Sequence, residues 1–447
     1  MDFKNKRVTV MGLGSFGGQV AAIHFLAGCG AREIIVTDTK PAEALGESLA
    51  QIAGLNGITL RLGGHVESDF TTVDAVVVSP AVPKSAPLLA VARKAGVALT
   101  SEMNLFFERC SAPARIVGIT GSAGKSTTTA MIEAVLATAT NVGRVFVGGN
   151  IGHRALLPRV GEIGPGDTVV LELSSFQLED LGELKRSPHV AIVTNIAPNH
   201  LDRHGTMAEY VRCKQNILRF QQPTDFAILN GDDAALADWA GLTRGQVRWY
   251  RAAEAAGLDL QVVGRHNRLN AAAAMAVGAV LGVPQAIMAA ALATFRALPH
   301  RLERVGQING VRYFNDSKAT TPESTRIALD AFADENAPVI LIVGGYDKKI
   351  DIEPLCRDLA RRAKAVITIG QTGPKFAEGV ARHRVAGSPA GQVFQAGQLA
   401  AAVKLAMELA APGDAVVLSP ASASFDQFAN YEERGRAFVD LVAAAGP

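Results

Sequence analysis

The sequence predicts an α/β chain folded as three blocks, each a largely parallel sheet with helices packed on it. Two patterns carry that expectation: apolar, β-prone stretches alternate with helical ones along the chain, and glycine-rich turns fall where a strand should hand over to a helix. Length supplies a third reason, because 447 residues exceed one core while 48% hydrophobic residues suffice to fill several.

The first block opens with a strand at Arg7 to Met11, then the turn GLGSFG from Gly12 to Gly17, a helical stretch, and a strand Glu33 to Thr37 ending at Asp38. Glycines at such a turn let the backbone approach a diphosphate, and Asp38, 21 residues after Gly17, stands about where an acid meets a ribose. The pattern is that of a Rossmann-like nucleotide site and points to a nucleotide diphosphate before it points to NAD. A purely structural Gly-rich turn is the plain alternative.

The second block contains GITGSAGKSTTT, Gly118 to Thr129, a phosphate-loop pattern in which Ile119 takes the place of the outer first glycine. An apolar stretch, Ala114 to Thr120, precedes it, and small helix formers, Thr127 to Ala137, follow it. Backbone N–H groups at that strand-to-helix turn attract anions, Lys125 can neutralise terminal phosphate charge, and the Ser126 hydroxyl can coordinate Mg²⁺. The strands Asp167 to Leu173, His189 to Asn195 and Phe226 to Asn230 extend this block into a P-loop-type parallel sheet.

Chemistry gathers at the carboxyl ends of those strands, where open α/β sheets place ligands. Glu172 ends the strand in LELSSFQ, suited either to a phosphate-bound Mg²⁺ or to a buried capping role. NIAPNHLDRHG supplies His200, a metal ligand or a hydrogen-bonded loop histidine, and Lys214 falls on the helix pattern Met207 to Phe220, where lysine is ordinarily solvated. The Ala-rich run Asn270 to Val283 is too short for a bilayer span of about 20 apolar residues and is expected to be one packed helix ended by Pro284.

The third block has apolar strands at Val311 to Phe314, Pro338 to Val343, Ala365 to Ile369 and Ala415 to Leu418, a second doubly wound, Rossmann-like sheet. NDSK, directly after the first of these, offers Asp316 to ribose hydroxyls and Lys318 to a transferred phosphoryl group. In the following TPES, capping by Thr321 with Pro322 in the first turn needs no function to explain it. VGGYDKK and SPASASFDQFANYEERG are further polar loops at strand ends, with lysines and hydroxyls suited to a carboxylate. Domain limits are expected at 1–101, 102–297 and 298–447.

Composition excludes other classes. Lys plus Arg number 44 against 42 for Asp plus Glu, so a net charge of +2 provides no basic field for nucleic acid. Cys29, Cys110, Cys213 and Cys356 are scattered without metal or disulfide spacing, and the N-terminus lacks a signal-peptide layout. A cytoplasmic protein, with no membrane insertion, is expected.

Taken in order, GITGSAGKSTT, LELSSFQLE, NHLDRH, the helical Lys214, GRHNRLNA, LPHRLE, NDSKATT and SPASASFDQF resemble the Mur ligases over essentially the whole chain. That family uses a GKS/T loop without the outer glycine; Ala123 stands where related loops often have Asn. The resemblance implies a UDP-binding first domain, an ATPase second and an amino-acid-binding third, acting as a monomer. It implies ATP-dependent amide-bond formation through an acyl phosphate, with UDP-N-acetylmuramoyl-L-alanine as donor and D-glutamate as acceptor.

The same resemblance assigns roles. Gly121, Ser122, Gly124, Lys125, Ser126 and Thr127 serve the ATP phosphates, Asn267 and Asn270 the adenine side, Arg301 and Lys318 phosphate, and Asp316 the ribose. Two Mg²⁺ ions are implied, held by Ser126, Glu172, His200 and Lys214, the last carrying a CO₂-derived carbamate; Lys125, His200, Lys214 and Lys318 form the catalytic set. Ser15, Phe16, Asp38, Thr39 and Lys40 hold the UDP part of the donor, with Asn150 and Gln177 nearer its sugar and peptide. Thr320, Lys348, Ser424, Phe425 and Tyr431 match positions that hold the acceptor, although Phe425 and Tyr431 are not the commonest types there.

Other readings leave motifs idle. A nicotinamide oxidoreductase would not use the GKS loop, Glu172 or NDSK, and a regulatory or transport ATPase would not use the third block. A sibling ligase with an L-alanine, L-glutamate, diamino-acid or folylpolyglutamate substrate shares the central block, but the first block and the NDSKAT and SPASASFDQF loops favour D-glutamate.

Overall fold

The computed structural model describes residues 1–14, 17–110, 115–152 and 154–446. It contains two compact units, one made of residues 1–254 and 270–288, the other of 255–269 and the remainder from 289.

The first unit holds two sheets. One has the strands β1 (Arg7–Met11), β2 (Glu33–Asp38), β3 (Ile58–Leu62), β4 (Ala75–Val78) and β5 (Ala98–Thr100), in the order β3-β2-β1-β4-β5, all parallel. Parallel strands are buried on both faces, so they read as unbroken apolar runs. Val8, Val10, Ile34, Val36 and Val77 pack on one side, and Met11, Ile35, Val76 and Val78 on the other. The strand order reverses between β1 and β4, which places the Gly-rich turn and the loop after β4 side by side at the ligand-binding end. A methyl group on Gly12, at φ +83°, would come 3.0 Å from the Ser79 Cβ.

The second sheet comprises β6 (Arg115–Thr120), β7 (Val145–Gly149), β8 (Thr168–Glu172), β9 (Val190–Val193), β10 (Phe226–Asn230) and β11 (Gln246–Tyr250), in the parallel order β11-β10-β9-β6-β8-β7. The outer glycine is dispensable for a plain reason. Ile119 is fully buried inside β6, so the turn begins only at Gly121.

The second unit carries β12 (Glu303–Ile308), β13 (Val311–Asn315), β14 (Val339–Gly344), β15 (Ala365–Ile369), β16 (Gln392–Gly397) and β17 (Ala415–Leu418), in the order β12-β13-β17-β14-β15-β16. The expected three-block α/β architecture holds, with one addition. β12 runs antiparallel to β13 through a hairpin whose turn uses Asn309 at φ +50° and Gly310 at φ +79°, so the third sheet is mixed.

The Ala-rich run departs from expectation. It belongs to a helix Arg265–Val280, followed by a second helix Gln285–Ala293. Gly282, at φ +75°, turns the chain between them, and Pro284 starts the next helix instead of ending the first. Among the described residues no helix is long and apolar enough to cross a membrane, and all four cysteines are free thiols.

Candidate functional site

In the first unit the phosphate-type turn is pinned to the end of β9. Ala123 N–H donates to the Asn195 Oδ1 at 2.9 Å, Ser122 N–H to the Asn195 carbonyl at 2.9 Å, and the Thr194 hydroxyl to the Ala123 carbonyl at 2.7 Å. Gly121, at φ +150°, passes so close to β9 that an added Cβ would lie 1.9 Å from the Thr194 Oγ1. Gly124, at φ +81°, starts the helix Lys125–Ala137 with no side-chain cap, leaving the N-terminal amides of Lys125, Ser126 and Thr127 at its positive end. Lys125 Nζ folds back onto the carbonyls of Gly121 (2.9 Å) and Ser122 (3.2 Å). Asn270 approaches the same turn from its own helix, its Oδ1 accepting from the Thr128 hydroxyl at 3.1 Å.

Glu172 ends β8 with only 2% of its surface exposed. Its Oε1 accepts from Asn150 Nδ2 at 3.1 Å, while its Oε2 is buried without a hydrogen-bond partner. A charged oxygen left so is costly unless a cation meets it, and hard cations take oxygen ligands. The residues present therefore fit Mg²⁺.

Lys214 is also 2% exposed, contrary to the solvated position its helix suggested. Thr206 caps that helix, Met207–Arg219, and its buried stripe of Tyr210, Lys214 and Ile217 turns the lysine inward. Nζ reaches the Thr120 hydroxyl at 3.2 Å and the Gly121 carbonyl at 2.9 Å, and lies 4.9 Å from the centre of the Tyr210 ring. Burial first, and the charge of Lys125 second, hold its ammonium pKa well below the usual lysine value.

His200 adopts φ +53° at the start of the short helix Leu201–His204, its ring 5.2 Å from that of Phe176. Desolvation and the charges of Lys125 and Lys214 lower its pKa.

At the nucleotide-type end of the first sheet, Asp38 closes the Gly-rich turn: Oδ2 accepts from Gly14 N–H at 3.1 Å and Oδ1 from Lys40 N–H at 2.9 Å. Thr39 and Lys40 are exposed beside it, and Ser15 and Phe16 lie outside the described residues. Gln177 forms a capping box with Ser174, its Oε1 accepting from the Ser174 N–H at 3.0 Å.

In the second unit Asp316 follows β13, accepting from Leu302 N–H through Oδ1 (3.1 Å) and from the Ser419 hydroxyl through Oδ2 (2.8 Å). Burial pushes its carboxyl up to about 7, against those two hydrogen bonds and the charge of Arg301. Lys318 is exposed, with Nζ 5.2 Å from the Tyr431 ring centre. Thr320 closes that turn, its N–H donating to the Lys318 carbonyl at 2.9 Å. Tyr346 pairs with Ala423, Ser424 is buried, Lys348 is exposed, and Phe425, 64% exposed, stands edge-on to Tyr346 at 6.0 Å. Asn267 donates to the Val263 carbonyl at 2.8 Å.

Sequence reasoning missed Arg434. It is 1% exposed and donates to the Ser317 hydroxyl (3.0 Å) and to the carbonyls of Ser317 (2.9 Å), Ser422 (3.1 Å) and Ala423 (3.1 Å). It ties the NDSK loop to the SPASAS loop. The available signal was its place four residues before Phe438 and eight before Val442, on the buried stripe of the helix Tyr431–Ala445.

Residues 6–101 match the MurD-like N-terminal domain of Mur ligases, residues 119–256 the Mur ligase middle domain, and residues 300–422 the Mur ligase glutamate ligase domain. The chain is 40% identical to the UDP-N-acetylmuramoylalanine–D-glutamate ligase of Symbiobacterium thermophilum, over 98% of each chain. It is 41% identical to the enzyme of that name from Anaeromyxobacter dehalogenans, over 99% of this chain and 98% of the other. Among solved structures it is similar to MurF ligase from Thermotoga maritima in complex with ADP, with a TM-score of 0.60, 18% identity, and coverage of 100% of this chain and 97% of that one. MurC from the same organism gives a TM-score of 0.59 at 21% identity, covering 98% of this chain and all of the other. At these identities the structural likeness bears on the fold.

Proposed function

Because this chain belongs to the Mur ligase family, we propose that it joins D-glutamate to UDP-N-acetylmuramoyl-L-alanine at the expense of ATP, a cytoplasmic step of peptidoglycan synthesis. Relatives 35–41% identical over nearly the full chain carry that activity in their names. For the phosphoryl-transfer half, the supporting observation is the meeting of the phosphate-type turn, Glu172 with its unpartnered Oε2, and buried Lys214 at the ends of β6 and β8.

A carboxylate acylates poorly because its oxide is a bad leaving group. Its oxygen therefore attacks the γ-phosphorus of ATP, the bond to ADP breaks, and an acyl phosphate forms. The acceptor amine then attacks the acyl carbon, loses a proton, and inorganic phosphate departs with the former carboxylate oxygen. Two anions must meet in the first step. The helix N-terminus and Lys125 hold the phosphates in place, and Ser126, Glu172 and His200 would hold magnesium. Bound there, Mg²⁺ supplies the positive charge that offsets the repulsion.

Lys214 is assigned a carbamate. Burial and the charge of Lys125 disfavour the Lys214 ammonium, which makes its amine more readily available as a nucleophile for CO₂, and the product is an anionic oxygen ligand where an ammonium would repel metal. Two ions, shared by Glu172, His200 and the carbamate, complete this reading. Residues 1–101 take the donor, 102–297 the ATP and 298–447 the acceptor, with Thr320, Lys348, Ser424, Phe425 and Tyr431 around the amino acid.

The test is phosphate release with UDP-N-acetylmuramoyl-L-alanine, ATP and a panel of D- and L-amino acids. Release that depends on both the donor and D-glutamate is expected. Release with only L-glutamate or L-alanine, or without the donor, overturns the reading.

A further inference from the structure

His200 sits in the left-handed region at φ +53°, a conformation that a non-glycine residue keeps only when its surroundings hold it. Its ring rests against the edge of Phe176, 5.2 Å between centres. Phe176 in turn stacks on His204 at 5.1 Å and 24°, and Arg203 lays its guanidinium over the Phe176 ring, Cζ at 5.3 Å from the centre. The segment that carries His200 thus meets one phenyl ring three times, through His200 itself and through Arg203 and His204 one helical turn after it.

Arg203 reaches further. Its Nη2 donates at 2.9 Å to the carbonyl of Val82, in the loop that leaves β4 of the other sheet of this unit, and lies 3.6 Å from the Glu179 Oε2. Its Nε is buried without a partner. An arginine present only for an ion pair would present Nε and Nη together to the carboxylate. This one gives up that geometry to place its guanidinium over Phe176 and donate to a carbonyl. Two residues on, Lys84 pairs with Asp180 and lies 3.7 Å from Glu183, so the same loop is also fastened to the helix Ser175–Leu184 that bears Phe176.

Resting on the metal-assisted phosphoryl transfer proposed above, we infer that Arg203 is a positioning residue for His200. It touches no reacting atom. It fixes the direction of the His200 ring by pressing Phe176 from one side while anchored to Val82, and so links the loop after β4 to the divalent-ion site.

The test compares Arg203→Met, which keeps the stem and removes the planar cation, with Arg203→Lys, which restores a charge able to reach both Phe176 and the carbonyl. Mn²⁺ binding to the full-length protein with ADP, followed by electron paramagnetic resonance, should weaken about tenfold in the Met variant and recover at least half of that loss in the Lys variant. The Mg²⁺ concentration for half-maximal phosphate release should rise by a similar factor, with the acceptor KM unchanged and kcat recovering at saturating Mg²⁺. The His200 ring resonances should shift in the Met variant. Mn²⁺ affinity within twofold of the parent in both variants overturns the inference, and if the Met variant does not fold, the Lys variant and Phe176→Leu decide by the same readout. A parent protein lacking acceptor-dependent phosphate release would sink the proposed reaction instead, and the Mn²⁺ comparison would still judge Arg203.

Discussion

Lys214 Nζ donates to the Gly121 carbonyl at 2.9 Å, which brings a lysine from a helix interior against the backbone of the phosphate-type turn. Lys214→Ala is expected to lower turnover by about 10³-fold or more, the rate equivalent of several kcal/mol of charge stabilisation. Acetate or another short carboxylate should restore part of it by occupying the vacated volume. Phosphate release with and without added carboxylate measures this, and full activity in the substituted protein would discard the carbamate.

Glu172→Gln should separate stability from function. Removing the charge from an oxygen buried without a partner is expected to raise metal-free stability by about 1 kcal/mol, while the Mg²⁺ requirement climbs. Asn150→Ala, which releases the other oxygen of Glu172, should weaken the apparent Mg²⁺ affinity about tenfold. Urea unfolding without metal and Mg²⁺ titration of activity check the pair. A destabilised Glu172→Gln protein would contradict the account of the orphaned oxygen.

Arg434→Met leaves the Ser317 hydroxyl and the carbonyls of Ser317 and Ser422 without their donor, and the Ala423 carbonyl with only the Tyr346 N–H. A loss of roughly 3 kcal/mol in the second unit is expected, together with a raised acceptor KM and an unchanged donor KM. Denaturant unfolding and steady-state kinetics at fixed donor concentration provide the comparison. Equal effects on both KM values would argue for general loosening.

Asp316 gives a pH signature. Its folded pKa, about 7, lies above the ordinary aspartate value of 3.8. Below about pH 4 both folded and unfolded chains hold the proton and the contribution to stability is complete. As pH rises towards 7 the unfolded chain ionises first, so stability falls across that window and levels off above it. Asp316→Asn should remove this downward slope, measured as the difference in unfolding free energy between parent and variant from pH 4 to 8.

The strands that sequence reading finds are those with apolar runs bounded by glycine or polar turns: β1, β2, β6, β8, β9, β10, β13, β14, β15 and β17. It omits β3, β11, β12 and β16, which lie at sheet edges, where polar side chains such as Arg61, Arg248 and Gln395 break the run, and the three-residue edge strand β5. β7, another edge strand, ends in two glycines, and β4 packs its whole signal into AVVV. In the site, the turn at Gly121 to Ser126 and the acid at the end of β8 are readable because a local pattern carries them. The burial of Lys214 and Arg434 is carried by no such motif: helical spacing to Phe438 and Val442 hints at it for Arg434, but the polar groups that receive these two side chains come from segments distant in sequence.

The last strand in the chain occupies the centre of its sheet: β17 lies between β13 and β14. During synthesis, Val311–Asn315 and Val339–Gly344 leave the ribosome long before the segment that joins them, so two apolar edges wait unpaired until Leu418 emerges. A nascent or truncated chain ending before Ala415 therefore carries a slot that any other strand can fill, and its hazard is mispairing with its neighbours on a polysome.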